Sequence, residues 1–213
     1  MEDISLIIKE IKQSFRQMMD GAVAQSMRDK GLNYHLNWGA TLPRLKAKAE
    51  DIVNSQQLTA DSQYSLAIAL WKENIRECKI LATMLMPPEE MLPEVCDIWM
   101  EQIPSQEIAE QAAFNLWQYL PYAPEKAYQW IASDKEYYQL CGFHVLSRLF
   151  MNGQEPNERG INEYLDQALA ALQGPYMSVR KAAMQSIVRF AELGLVYERM
   201  AKSATKSINL DIF

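Results

Sequence analysis

The chain has 213 residues, which is enough for one substantial hydrophobic core and does not demand two domains. Hydrophobic residues make up 49% of it, while glycine and proline number only 8 and 9, which excludes disordered and collagen-like classes. The net charge of −6 does not favour nucleic-acid binding but does not exclude it, because phosphate contact needs only a local surplus of Lys and Arg.

Amphipathic helices are predicted along the whole chain. In the first of them, Ile4, Ile7, Ile8 and Ile11 recur with the spacing of one helical face. The same periodicity places helices at about residues 2–20, 41–53, 60–71, 75–86, 89–102, 105–119, 123–132, 135–151, 158–173, 176–192 and 195–205. The predicted N-caps are Thr41, Asp61, Ser105 and Ser178. No segment gives a convincing strand pattern.

The rhythm of these helices predicts the architecture. Helices of ten to seventeen residues joined by short turns favour antiparallel pairs, and pairs that recur every ~35–45 residues are typical of HEAT-like solenoids. We therefore predict an all-α fold, an α-α superhelix of HEAT-like helix pairs, with residues 1–213 in a single domain. A compact, irregular helical bundle is the alternative.

The cysteines, the histidines and the missing nucleotide-binding motifs bear on the cellular compartment and on whether a cofactor is expected. Cys78, Cys96 and Cys141 are few and odd in number and lie in helical patterns, which predicts buried thiols in a reducing compartment, the cytoplasm. The N-terminus mixes charged and apolar residues and is no secretory signal, and no apolar run is long enough for a membrane helix. His35 and His144 stand apart without a metal motif, and glycine-rich nucleotide loops are absent, so neither metal nor cofactor is expected.

Two segments carry a resemblance to a known family. The segment GATLPRLKAKA at 39–49 is similar to the glycine-x-x-x-proline-x-leucine-arginine segment of AlkD-type DNA alkylation repair proteins. The segment LWKENIRECKILA at 70–82 resembles that family's leucine-tryptophan, glutamate and ILA pattern. Ser133-Asp134 and the VRKA segment at 179–182 follow in the expected order, so the resemblance covers about residues 25–200.

The resemblance implies a C-shaped stack of helix pairs whose basic, concave face holds duplex DNA. It also implies removal of N3- or N7-alkylated purines by hydrolysis of the N-glycosidic bond, without a metal. In such a reaction positive charge develops on the sugar, a carboxylate stabilises it, and tryptophan faces help to bind the cationic nucleotide. Unlike glycosylases that extrude their base, AlkD-type enzymes are understood to act on a base still stacked in the duplex.

The family's catalytic positions are changed in this sequence. Its carboxylate falls on Glu110, and the tryptophan four residues earlier falls on Gln106, a spacing that puts both on one helical face. Its arginine falls on Leu140, which removes a bidentate phosphate donor, and its second tryptophan falls on Gln185, which has no aromatic face. Glu110 is the candidate catalytic residue; a solvated carboxylate near a helix start is the alternative.

Candidate phosphate contacts are cations and one amide at helical spacing. The predicted nucleic-acid-binding residues are Arg44, Lys48, Arg180, Lys181, Gln185 and Arg189. A further group of Lys72, Arg76 and Lys79 has Glu73 and Glu77 beside it, which partly neutralise its charge. Ordinary solvated helix faces are the alternative for all of them.

Three functions remain open at this stage. The first is a divergent AlkD-like protein that binds duplex DNA, alkylated or unusual in structure, on its concave face, with little or no glycosylase activity. The second is a repeat scaffold that binds a protein partner, and the third is an intact glycosylase that uses Glu110. Trp117 and Trp130 lie near the catalytic positions, where either could supply an aromatic face from a different position, but the favoured prediction for both is a core anchor.

Overall fold

The computed structural model describes residues 4–56 and 58–210, and within these ranges the chain is built from helices. One isolated bridge between Leu36 and Ile75 is the only extended pairing in the described ranges, so the predicted all-α class is confirmed. The chain divides into two compact units, unit 1 up to Leu116 and unit 2 from Trp117. A single folding domain over 1–213 stays a prediction.

Unit 1 is organised around its fifth helix. Its elements are α1 (Ile4–Gln17), α2 (Gly21–Asp29), α3 (Leu42–Gln56), α4 (Ala60–Lys72), α5 (Arg76–Leu85), a 3-10 turn (Pro88–Glu90), α6 (Pro93–Glu101) and α7 (Gln106–Asn115). Helix α5 packs on α3, α4 and α7, and every residue from Arg76 to Thr83 is buried. A helix covered on all sides is a core helix, so even its charged side chains must find partners inside the protein.

Helix α2 was not predicted, because its sequence is polar and only Ala24 is buried. It begins because the Asp20 carboxylate accepts hydrogen bonds from the amides of Ala22 and Val23, both at 3.0 Å. Gly39 passes directly beside this helix start with φ of +76°, and a Cβ there would lie 2.2 Å from the carbonyl oxygen of Asp20. Only glycine fits such a crossing.

Unit 2 is a series of helices joined by short turns. Its elements are a 3-10 turn (Trp117–Tyr119), α8 (Ala123–Ile131), α9 (Glu136–Met151), α10 (Glu158–Leu172), α11 (Met177–Ala191) and α12 (Leu195–Ser207). Helix α9 packs against α8 and α11, and α11 also contacts α10 and α12. Phe150, Tyr164 and Phe190 form an aromatic cluster with ring centroids 5.1 to 5.5 Å apart. Consecutive helices that pack on each other across short turns run antiparallel.

Predicted helix starts are partly confirmed. Ser105 caps α7 by accepting from the Ile108 amide at 3.3 Å, as predicted. The predictions for Asp61 and Ser178 were wrong. Thr59 caps α4, and α11 begins after Tyr176 without a side-chain cap. Helix α6 begins at Pro93, later than predicted, because Pro93 takes the first helical position and the preceding residues form the 3-10 turn.

The predicted core residues are buried. Trp117 is fully buried and Trp130 is 3% exposed, and their rings lie 4.8 Å apart, which confirms both as core anchors. Cys78, Cys96 and Cys141 are all buried. Burial, followed by the charge of Glu73, raises the pKa of the Cys78 thiol to about 12, so it stays protonated near neutral pH.

Candidate nucleic-acid interface

Helix α11 brings four of the predicted DNA-binding residues onto one element. Lys181 and Gln185 are exposed, and Arg180 and Arg189 are partly exposed at the edges of the same solvent-facing strip. Between Asp166 and Glu192 the sequence contains no Asp or Glu, so no carboxylate from this segment neutralises the strip. A helix face with cations and no acids is the local surplus that phosphate binding requires.

The cations of this strip differ in their hydrogen-bond and ion-pair partners. Arg189 donates to Glu192 at 2.7 Å, so its charge is partly neutralised. Arg180 places Nη2 3.7 Å from the Met177 sulfur, and its buried Nε has no hydrogen-bond partner within the described part of the chain. A guanidinium N–H without an acceptor is costly. Unlike Arg189, Arg180 and Lys181 have no ion-pair partner among the described residues, so their charge is not neutralised by a carboxylate.

Helix α3 carries the other two predicted DNA-binding residues. Arg44 is exposed and Lys48 is half-buried one turn later. The Arg44 guanidinium donates to the carbonyl of Met18 at 3.2 Å, which holds it beside the end of α1. Glu50 and Asp51 follow in the next turn, so α3 lacks the continuous positive face of α11.

A basic groove on α1 was missed by the sequence analysis. Lys9, Lys12 and Arg16 line a shallow cavity of about 350 Å³, together with Glu73. Lys12 is paired with Glu73 at 2.7 Å, whereas Lys9 and Arg16 are exposed. The spacing i, i+3, i+7 of these cations is visible in the sequence, whereas the helix prediction rested on the apolar face of α1 alone.

Glu110, the candidate catalytic residue, lies half-exposed on α7. Its Oε1 accepts a hydrogen bond from the Gln106 amide at 2.7 Å, so the two side chains share one helical face as predicted. Among the described residues, no hydrogen bond or ion pair brings a cation to it. In unit 2, Leu140 is 1% exposed and fills the core, whereas Gln185 is exposed. A catalytic role for Glu110 stays a prediction.

The group of Lys72, Arg76 and Lys79 does not form a basic surface. Arg76 and Lys79 are buried and cannot contact a phosphate. Arg76 is 1% exposed and Lys79 is 9% exposed, and only Lys72 faces solvent. The Lys79 ammonium donates to the Trp71 carbonyl at 2.9 Å and lies 4.4 Å from the centre of the Trp71 ring. Burial lowers the pKa of Lys79. Helical spacing alone could not reveal that α5 is covered on all sides.

Arg76 is the centre of a buried polar network in unit 1. Its Nη1 donates to the Ala40 carbonyl at 2.8 Å and to Glu77 at 3.2 Å, and its other nitrogens donate to Glu107. Tyr34 donates to Glu107 at 2.5 Å, and burial, followed by this carboxylate, raises the pKa of Tyr34. The network fixes the segment between α2 and α3, so its role is structural.

Burial and ion pairing shift the pKa values of Glu107 and Arg76 in opposite directions. Burial alone would raise the pKa of Glu107, but the hydrogen bonds and charge of Arg76 outweigh it and hold the pKa below its ordinary value. Burial alone would lower the pKa of Arg76, but the hydrogen bond and charge of Glu107 keep it above its ordinary value. Both groups therefore stay charged near neutral pH.

Other kinds of site find no support in the described residues. Across 4–56 and 58–210, no three His, Cys, Asp or Glu side chains are grouped so as to hold a metal ion. In the same ranges, none of the helices combines the length and apolar character needed to cross a membrane.

Comparison with known proteins gives two matches. The model of a family described as DNA alkylation repair enzyme matches residues 11–185. A solved structure, described as a new family of proteins related to the HEAT-like repeat DNA glycosylases with affinity for branched DNA structures, matches with a TM-score of 0.79. It is 17% identical, and the match covers 94% of this chain and 82% of that chain. No curated protein matches the sequence significantly. The structural likeness confirms the predicted fold of HEAT-like helix pairs.

Proposed function

Because this chain belongs to the DNA alkylation repair enzyme family, as its motifs predicted, we propose that it is a DNA-binding protein with little or no glycosylase activity. Its ligand is duplex DNA, including DNA with branches or other unusual structure. The phosphate contacts come from Arg180, Lys181, Gln185 and Arg189 on α11, with Arg44 and Lys48 on α3 as a second group. We expect these residues to lie on the concave face of the helix stack.

The observation that carries the proposal is the acid-free face of α11. Residues 176–191 contain three basic side chains and no carboxylate, although the chain as a whole has a net charge of −6. In an acidic protein, a helix face that keeps only cations is a place where a polyanion can bind. The solved relative's affinity for branched DNA structures agrees with this choice of ligand.

The low expected glycosylase activity follows from the catalytic positions. Cleavage of the glycosidic bond needs a carboxylate placed precisely against the developing positive charge. Glu110 is one methylene longer than the family's aspartate and is engaged by Gln106. Leu140 supplies no charge and Gln185 supplies no aromatic face, so the groups that would hold the phosphate and the cationic base are missing.

DNA binding is tested by fluorescence anisotropy with a labelled 20-base-pair duplex and a forked version of it, at several salt concentrations. We expect affinity to fall steeply with salt. The Arg180→Ala/Lys181→Ala variant is expected to weaken binding to both DNAs and to reduce the salt slope by about 2, or about 1 for each lost phosphate contact.

Arg159→Ala is the matched control, because Arg159 is an exposed arginine of unit 2 among the carboxylates of Glu125, Glu155 and Glu163. Its removal is expected to leave DNA affinity unchanged. If the wild-type protein binds neither DNA at low salt, or if the α11 variant binds as tightly as wild type, the proposal is wrong.

A protein-interaction scaffold is the second candidate function, and a groove in unit 2 favours it. The groove has a volume of about 360 Å³ and an apolar floor that includes Leu146, Leu149 and Phe150. Its rim carries Glu125, Glu155 and Glu163 against the single cation Arg159. An acidic rim around an apolar floor fits a peptide that alternates arginine and leucine.

Such a labelled peptide is the probe for the scaffold function. It should bind the wild-type protein and not the Glu125→Lys/Glu163→Lys variant, whereas an alternating glutamate and leucine peptide should bind neither. Equal binding of both peptides would count against the scaffold.

A further inference from the structure

One end of unit 2 brings the first turns of α9 and α11 together. The Ser178 hydroxyl donates to the Glu136 carboxylate at 2.5 Å, across two helices that pack along their length. Ser178 is the second residue of α11 and Glu136 is the first residue of α9. The side chains next to them in sequence therefore share this end of the unit.

Aromatic and apolar side chains reach solvent at this end. Tyr176 is 38% exposed and Met177 is 55% exposed at the start of α11. Tyr137 and Tyr138, at the start of α9, are partly exposed. An apolar surface of this kind is retained at a cost in solvation and commonly marks a binding site.

Cations are interleaved with these rings. The Lys135 ammonium lies 4.8 Å from the centre of the Tyr138 ring, and the Arg180 guanidinium contacts the Met177 sulfur. Lys181 follows on the exposed face of α11. Two carboxylates lie nearby: Glu136 is occupied by Ser178, and Asp134 is exposed. Flat apolar faces set among phosphate donors are the combination that binds single-stranded nucleic acid.

We propose that this end of unit 2, formed by Lys135, Tyr137, Tyr138, Tyr176, Met177, Arg180 and Lys181, binds DNA through unpaired bases. The rings and the methionine stack on exposed base faces, while the cations contact the flanking phosphates. In a continuous duplex each base face is covered by its neighbours, so such stacking selects strand ends, branch points and single-stranded flaps. This inference rests on the proposed DNA binding and adds to it the feature of the DNA that is recognised.

The test compares a blunt 20-base-pair duplex with the same duplex carrying an unpaired thymine flap, both by fluorescence anisotropy. We expect the wild-type protein to prefer the flap by about tenfold, the scale of one or two stacked bases. The Tyr176→Ala/Met177→Ala variant should lose this preference while its affinity for blunt duplex and its salt slope stay unchanged. Tyr176→Phe should keep the preference, because the ring remains.

A matched control removes the same kind of surface elsewhere in unit 2. Leu195 and Val196 are 72% and 60% exposed at the start of α12, and Leu195→Ala/Val196→Ala should keep the flap preference. Circular dichroism checks that each variant is folded. Should the α11 variant fail to fold, Tyr138→Ala tests the same site from α9 and should reduce the preference.

A second measurement reads stacking directly. With 2-aminopurine as the first unpaired base of the flap, its fluorescence should be quenched by wild type and by Tyr176→Phe and not by Tyr176→Ala/Met177→Ala. Equal affinity of wild type for flap and blunt duplex, or unchanged preference in the variant, would overturn this inference and leave the proposed DNA binding intact. Failure of wild type to bind either DNA would overturn both.

Discussion

Arg76 and Glu107 form a two-pronged ion pair in unit 1. Arg76 Nε donates to Glu107 Oε2 at 2.8 Å, and Nη2 donates to Oε1 at 2.6 Å. Arg76 is 1% exposed and the Glu107 side chain is 16% exposed, so the pair is largely removed from water. Such a geometry joins the start of α5 to the first turn of α7 and leaves neither charge uncompensated.

Removing one charge of this pair should destabilise the protein strongly. Glu107→Gln removes the two-pronged partner of the buried Arg76 guanidinium and leaves only the Glu77 carboxylate, at 3.2 Å, as its counter-charge, so we expect a loss of about 3 kcal/mol in the free energy of unfolding. Glu110→Gln is the matched control, because it makes the same change three residues later on a partly exposed side chain, and it should cost less than about 0.5 kcal/mol. Urea unfolding of both variants measures the difference; equal losses would contradict a structural role for Glu107.

Stability should depend on pH through His144. This histidine is 8% exposed, and burial, followed by the charge of Arg148, lowers its pKa from 6.5 to about 4. The unfolded chain therefore binds a proton at a higher pH than the folded protein does. Stability is fully present above pH 6.5 and should fall toward pH 4, by up to about 1.4 kcal/mol per pH unit.

Unfolding at a series of pH values checks this prediction. His144→Gln should flatten the decline, whereas the exposed His35→Gln should retain the wild-type profile. A His144→Gln variant with the same decline as wild type would assign the pH dependence to other groups.

Gly142 sets how closely α8 and α9 can pack. A Cβ at this position would lie 2.6 Å from Ile131 Cγ2 and 2.8 Å from the Ala127 carbonyl oxygen. Although alanine favours helix, we expect Gly142→Ala to lower the free energy of unfolding by about 1–3 kcal/mol, because the two helices must move apart. Gly21→Ala is the control, since a Cβ there meets no atom within 4 Å, and it should leave stability unchanged or slightly raised. Chemical denaturation of both variants measures the change in the free energy of unfolding; an unchanged value for Gly142→Ala would contradict the prediction.

Base release should be absent or very slow. With methylated duplex DNA, we expect the wild-type protein to liberate 7-methylguanine at the rate of the uncatalysed background, because the family resemblance places Leu140 and Gln185 where the phosphate and the cationic base would be held. Liquid chromatography of the released bases measures this, and Glu110→Gln should match wild type. Release by wild type that disappears in Glu110→Gln would restore the glycosylase hypothesis.

The helices could be read from the sequence where apolar periodicity was strong. Helix α10 was predicted at 158–173 and runs over Glu158–Leu172, and α11 was predicted at 176–192 and runs over Met177–Ala191. Helix α2 was missed because it buries a single residue, Ala24, and so leaves almost no periodic signal. Periodicity reports burial, and a helix that buries little cannot be found by it.

The sequence by itself determined the all-α class, the helix rhythm and the family resemblance, because these depend on local spacing and on motif order. Which charges reach solvent was decided only by the tertiary structure. Arg76 and Lys181 both occupy basic positions at helical spacing, yet Arg76 is 1% exposed and Lys181 faces solvent. The difference lies in how many neighbours cover the helix, since α5 is enclosed and α11 keeps one open face, and that depends on contacts between residues far apart in the chain.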